Sequence, residues 1–228
     1  MKTLVSWSSG KDSAWLVHVL RQRGDIEIGA LLTTINESAQ RAAMHAVRVD
    51  VLKAQAEAIG APLWMVPIPS PCPNEVYERA MADVVARAVR QGFTHAAFGD
   101  LFLEDIRRYR EERLAGSGLA PLFPLFDRDP SWTSRLAREM IGAGLRARIT
   151  CVDPKQIDAA FAGREFDAAL VADLPASADP CGERGEFHTC AYAGPMFSQP
   201  VPLEPGVTVE RDGFVFTDLC LIRAASSV

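Results

Sequence analysis

Two short runs gather most of the residues in this chain that can do chemistry. Ser8-Ser9-Gly10-Lys11-Asp12-Ser13 sets a glycine, a cation, a carboxylate and three hydroxyls side by side. Asp179-Pro180-Cys181-Gly182-Glu183-Arg184-Gly185-Glu186-Phe187-His188-Thr189 adds carboxylates, a thiol, an imidazole and a hydroxyl in a segment broken by two glycines. The first run suits phosphate. Gly10 lets the backbone come close to a ligand, and a helix starting there points free N–H groups and a positive dipole end at it. Lys11 supplies a cation, and Ser8, Ser9 and Ser13 supply donors. The second run suits proton transfer. Glu183, Glu186 and His188 are groups that can take or give a proton, and Glu186 and His188, two residues apart, would share one face of a strand. Cys181 is a weaker nucleophile candidate with no assignable partner.

The elements around the first run occur in the order a phosphate site needs. Thr3–Trp7 reads as a strand, and Trp15, Leu16, Val19 and Leu20 give the next segment a helical apolar face. The run is neither G-x-x-x-x-G-K-[ST] nor G-x-G-x-x-G, so a Walker A loop and a Rossmann dinucleotide site are both unsupported. The alternative is a strand-to-helix turn whose serines and aspartate merely cap the helix.

Strand and helix alternate through the first half of the chain. Further strands are expected at 27–34, 62–67, 94–99 and within 119–126, and helices at 12–23, 44–59, 74–89 and 102–114. This predicts an α/β fold with a five-stranded parallel sheet and helices on both faces. Ligands of such sheets bind beyond the carboxyl ends of the strands. Ser8–Ser13, Thr33-Thr34, Pro67–Pro73 and Gly99-Asp100 all fall at those ends. Past residue 130 the pattern changes to a helix at 132–141, a strand at 147–152, a short helix from Pro154, and a loop-rich stretch over 175–205. A hairpin turned at Asp212-Gly213 and a frayed tail at 224–228 follow. The expected division is a nucleotide domain over 1–130 and a smaller α+β acceptor domain over 131–228.

Bulk properties narrow the class. The 228 residues carry a net charge of −5, which argues against wide, non-specific nucleic-acid binding. No run of eighteen apolar residues marks a membrane span, and the N-terminus enters a strand without a basic-then-apolar leader, so a cytoplasmic protein is expected. The five cysteines fit no disulfide framework and include no C-x-x-C pair.

The first run resembles the PP-loop of the ATP pyrophosphatases, whose usual form is S-G-G-x-D-[ST]. Ser9 stands where the first glycine is usual, and a serine takes φ > 0 only at a cost. Cys181–Thr189, as C-G-E-x-G-E-[FY]-H-T, resembles the diphthine–ammonia ligase branch of that superfamily, together with its shorter bacterial relatives. The Gly99-Asp100 strand end with its Arg/Tyr-rich helix and the Met44–Arg48 helix start resemble it too. The likeness runs from Leu4 to about Leu221.

That resemblance implies a PP-loop (HUP-like) fold and an ATP-dependent amidoligase. A carboxylate is adenylated, pyrophosphate leaves, and ammonia displaces AMP. It implies ATP held by Ser8–Ser13 with Thr33 and Gly99, and Mg²⁺ aided by Asp12. It implies catalytic roles for Asp100, Glu183, Glu186 and His188, and acceptor contacts from Glu104, Arg107, Tyr109, Arg110 and Cys181. The acceptor would be a carboxylate-bearing small molecule or protein, and the enzyme a possible homodimer. Two other readings stay open: transfer of sulfur or nitrogen to a tRNA base, and a regulatory module that binds ATP or AMP without turnover.

Overall fold

The computed structural model describes residues 1–39, 41–42 and 47–222. In chain order the elements are β1 (Lys2–Ser6), α1 (Lys11–Gln22), β2 (Glu27–Asn36), β3 (Arg41–Ala42), α2 (Val49–Ile59), β4 (Leu63–Ile68), α3 (Asn74–Arg90), β5 (His95–Ala97), α4 (Glu104–Leu114) and β6 (Ala120–Leu122). The remainder holds α5 (Thr133–Gly142), β7 (Arg146–Val152), α6 (Ala168–Asp173), β8 (Phe187–Ala193), β9 (Leu203–Arg211) and β10 (Phe214–Leu221).

β1 pairs in parallel with β2 on one side and β5 on the other; β4 extends the first side and β6 the second. The five-stranded parallel sheet therefore runs β4-β2-β1-β5-β6, with the two-residue β3 antiparallel to the far end of β2. Strand periodicity sorts the side chains into two cores. Leu4, Ala30 and Ala96 face one helical layer with Val84, Ala88 and Leu114, while their neighbours Val5, Leu31 and Ala97 face the other with Leu16, Leu20 and Leu52. The second core runs on without a break into Leu136, Met140, Ile149 and Phe187. The antiparallel sheet β8-β7-β10-β9 is thus packed on the α1/α2 side, where β8 can reach the loop after β1.

The chain departs from expectation in places. The second strand runs on to Asn36, because apolar alternation continues through buried Ile35. The helix expected from Pro154 is a turn, followed by one 3₁₀ turn at Ala159–Phe161, and α6 was not foreseen. β8 lies inside the stretch read as loop-rich. The helix start expected at Met44 and the tail 224–228 fall outside the described residues. At the β9–β10 hairpin Asp212 and Gly213 both have positive φ, 53° and 79°, as the two-residue turn requires. All five cysteines are free, and among the described residues no helix is long and apolar enough to cross a membrane.

One ion-pair cluster ties the two sheets together. Asp218 of β10 accepts from Arg41 of β3 at 2.6 Å and 3.1 Å, and from Arg48 Nε at 2.9 Å. Burial works against the Asp218 carboxylate, but the two guanidiniums outweigh it and lower its pKa to about 2. Its contribution is therefore present above the ordinary value of 3.8 and is lost as pH falls through about 2. Asp218→Asn is expected to cost about 1–3 kcal/mol near pH 7, since both arginines lose a charged acceptor. In urea unfolding across pH, the variant and the wild type should converge toward pH 2.

Candidate active site

In the order β4-β2-β1-β5-β6 the chain leaves β1 toward one edge and later returns beside β1 as β5. Open parallel sheets bind ligands at such a reversal, beyond the strand ends. The loops that meet there are Trp7–Gly10 after β1 and Phe98–Leu103 after β5. The close approach is built into Gly99: a Cβ there would sit 3.3 Å from the backbone of Asp12 and Ser13. Residues 181–189 close the third side. Together these segments enclose a cavity of about 210 Å³ lined by Ser8, Lys11, Asp12, Ser13, Gly99 and Asp100, with Arg110, Cys181, Glu183, His188 and Thr189 opposite.

The loop after β1 is stitched by its own serines. Ser8 N–H and Oγ both reach Ser13 Oγ, at 3.3 and 3.1 Å, and Ser13 Oγ donates to Gly10 carbonyl at 3.0 Å. Gly10 is the N-cap of α1 and has no side chain to cap that end; Ser8 Oγ accepts from Gly10 N–H at 3.3 Å. Ser9 is the residue with positive φ, 74°, and it is fully buried. A non-glycine residue held there costs about 1–3 kcal/mol and persists only when its surroundings over-determine it. They do so here. Ser9 Oγ bonds Cys190 Sγ at 3.2 Å, and its carbonyl accepts from Ala191 N–H at 2.9 Å and from Gln55 Nε2 at 3.2 Å. β8 thus acts as a splint for the loop, and Thr189 Oγ1 accepts from Lys11 N–H at 3.0 Å.

Lys11 is 2% exposed. Its Nζ bonds the Cys181 carbonyl and, at 2.9 Å, Asp12 Oδ2, and it lies 5.4 Å from the rings of both Phe166 and Phe187. Burial opposes its charge, but Asp12 outweighs burial and its pKa lies above the ordinary lysine value. Asp12 Oδ1 is buried with no hydrogen-bond partner.

Glu183 lines the cavity and accepts from Leu101 N–H at 2.8 Å. Burial, reinforced by the Asp12 carboxylate, raises its pKa to about 8. His188 also lines the cavity. Burial, with Lys11 beside it, lowers its pKa to about 4, so its imidazole is neutral at physiological pH. Asp100 is gripped by Arg110, Nε to Oδ2 at 2.6 Å and Nη2 to Oδ1 at 3.1 Å.

Of the other expected site residues Cys181 lines the cavity, while Glu186, Thr33, Glu104, Arg107 and Tyr109 do not. Glu186 is 1% exposed and its carboxylate is consumed by the loop: Oε1 accepts from Asp179 N–H at 2.7 Å and Oε2 from Arg184 N–H at 3.0 Å. It precedes β8 and does not share a strand face with His188. The Cys181 thiol points to the Thr133 carbonyl at 3.5 Å, and burial pushes its pKa well up, so it is no nucleophile; its carbonyl is what meets Lys11. Thr33 is buried in mid-strand opposite Met65, because β2 outruns its expected end, and it does not line the cavity. Glu104 pairs with Arg128 at 3.3 Å and Arg107 with Glu111 at 2.9 Å on the exposed face of α4. Tyr109 lines a separate groove. The Pro67–Pro73 segment contributes nothing to the cavity lining.

Two residues that shape the site were missed. Asp179 organises the 181–186 turn by accepting from Cys181 N–H at 3.1 Å and Glu183 N–H at 2.9 Å, while Thr133 Oγ1 donates to its other oxygen at 2.5 Å. Gln55 is fully buried and also donates to Ala191 carbonyl at 2.6 Å. Its signal was a lone amide on the apolar face of α2, between Leu52 and Ile59.

Gly182 makes this turn possible. Its φ is 70°, and a Cβ would lie 2.8 Å from the Phe187 carbonyl. Gly182→Ala is expected to destabilise the fold by about 2–3 kcal/mol, from the left-handed backbone plus the clash. Chemical unfolding measures this, and ATP affinity should fall with it.

A family model described as diphthamide synthase N-terminal domain matches residues 1–118, and one described as diphthamide synthase C-terminal domain matches residues 132–228. Among curated proteins none matches the chain.

Proposed function

The chain belongs to the diphthamide synthase family, within the PP-loop ATP pyrophosphatases, and on that premise we propose that its cavity adenylates an acceptor carboxylate with ATP and passes the acyl group to ammonia. The observation that carries this reading is the pairing, in one cavity, of the N-terminal end of α1 and Lys11 with a carboxyl group whose pKa burial raises to about 8. Phosphate binding alone calls for the first part and has no use for the second.

The chain's own groups divide the work. The N–H groups of α1's first turn beyond Lys11, whose own N–H goes to Thr189, together with Lys11 Nζ and the hydroxyls of Ser8 and Ser13, bind the β- and γ-phosphates. There they stabilise charge on departing pyrophosphate as the carboxylate oxygen bonds to the α-phosphorus and the α–β bridge breaks. In the second half-reaction nitrogen bonds to the acyl carbon, the bond to AMP breaks, and the nitrogen gives up a proton. Glu183 is placed to take it, and a pKa near the working pH suits that task. His188, neutral, offers a hydrogen bond without charge.

The residues present fit Mg²⁺. Near pH 7 Glu183 is protonated, while Lys11 offsets Asp12 and Arg110 offsets Asp100, so the cavity has little net positive charge to set against a triphosphate. Mg²⁺ commonly binds through one or two carboxylates plus substrate phosphates, and the unpartnered Asp12 Oδ1 is a ready ligand. When bound, the ion would neutralise phosphate charge.

Product analysis tests the reading. Incubation with ATP, Mg²⁺, ammonia and a panel of carboxylates should yield AMP and pyrophosphate. ADP as the sole nucleotide product would overturn it.

A further inference from the structure

A second concavity, about 740 Å³, lies between α3 and α4. It is several times larger than the phosphate cavity, and within the roughly 300–1,000 Å³ range of small-molecule sites. Apolar and aromatic side chains line much of it: Met81 and Val85 from α3, Leu114 from α4, and Tyr77, Phe98 and Tyr109, with a charged rim in which Glu78 pairs with Arg113 and Glu75 and Arg79 stand nearby. The two helices also leave Val76, Ile106 and Tyr109 conspicuously exposed, at 43%, 36% and 41%. Arg110 lines both this groove and the phosphate cavity. Its guanidinium lies 4.4 Å over the Phe98 ring and grips the Asp100 carboxylate with two prongs. The junction between the two spaces is therefore a carboxylate-binding guanidinium on an aromatic floor.

Resting on the amidoligase reading, we infer that the α3–α4 groove is the acceptor subsite and that it takes a small molecule with a planar apolar body and one carboxylate. The body lies among Tyr77, Phe98 and Tyr109. The carboxylate meets Arg110, which passes from Asp100 to the ligand with the same bidentate geometry. That places the carboxylate at the mouth of the phosphate cavity. At about 740 Å³ the groove has the size of a site for a free small molecule.

The probe is 2-naphthoate, a bicyclic carboxylate whose binding is read by fluorescence or calorimetry. The wild type should bind it saturably, and should prefer it to neutral 2-naphthamide by about tenfold or more, as a charge-assisted pair requires. Arg110→Gln should abolish the preference. Ala82→Trp and Ala86→Trp, at exposed positions on the α3 wall, should fill the groove and abolish binding while circular dichroism shows an intact fold. Three outcomes each overturn the inference: no saturable binding of 2-naphthoate, equal affinity for acid and amide, or displacement of the probe by adenosine, which would give the groove to the nucleotide base. ADP as the sole product would fail the amidoligase reading whatever the groove binds. Loss of acid selectivity would fail the groove whatever the products.

Discussion

Glu183→Gln is expected to slow AMP release at saturating substrates by about 10²–10⁴-fold, the usual worth of a positioned general base, and to leave ATP affinity nearly unchanged. The amide is close to isosteric, and its oxygen can still accept from Leu101 N–H, as Glu183 Oε1 does at 2.8 Å. What disappears is the ability to take a proton. Burial, helped by the Asp12 charge, has moved that ability to about pH 8. The wild-type rate should therefore rise with pH through about 8, and the rise should be absent in the variant. Hydroxylamine in place of ammonia isolates this limb, because it is already unprotonated at neutral pH and so does not add its own titration. A stability measurement gives an independent check of sign. Between the ordinary value of 4.5 and about 8 the folded chain holds a proton that the unfolded chain has released. Stability should therefore fall as pH rises through that window, and Glu183→Gln should remove this component of the slope. A variant that kept the full rate would move the base elsewhere in the cavity. A rate that fell with the alkaline limb intact would assign Glu183 to positioning.

What could be read from the sequence was local in character. Strand, loop and helix around Ser8–Ser13 are consecutive, so their order alone placed α1's N-terminus on the loop. The cost expected for Ser9 is also met in the fold, since its φ is 74°. What offsets the cost is not local. Cys190 and Ala191 lie some 180 residues away on β8, a strand that the sequence suggested only as a shared face for Glu186 and His188 inside a loop-rich stretch. Where that strand starts is what led Glu186 astray. Two-residue spacing suggested a shared face with His188, but the strand begins one residue later, and the loop's own N–H groups take the carboxylate. Arg110 and Tyr109 were picked from an Arg/Tyr-rich helix. Only the packing of α4 against α3 shows that one of them looks into two spaces. Glu104 and Arg107, from the same helix, sit in exposed ion pairs, Glu104 with Arg128 and Arg107 with Glu111 at i,i+4.

Lys11→Ala is expected to weaken ATP binding by about 10–100-fold, the value of one hydrogen bond between charged groups, with a second loss from what it leaves behind. Asp12 Oδ2 would lose its cation at 2.9 Å, and an unneutralised carboxylate would then face the incoming phosphates. The Cys181 carbonyl would also lose its donor. The ammonium lies 5.4 Å from the rings of both Phe166 and Phe187 and is buried at 2% exposure, so the site is shaped for a compact charge. Lys11→Arg, which keeps the charge but spreads it over a planar fork, should therefore fail to restore affinity, and calorimetric titration of ATP with Mg²⁺ against both variants is the measurement. Full affinity in Lys11→Arg would show that charge alone suffices and that the two neighbouring rings do no positioning. Full affinity in Lys11→Ala would remove phosphate from this cavity altogether. Thermal unfolding separates binding from folding: Lys11→Met, which fills the same space without charge, should hold the midpoint closer to wild type than Lys11→Ala does, yet bind ATP no better.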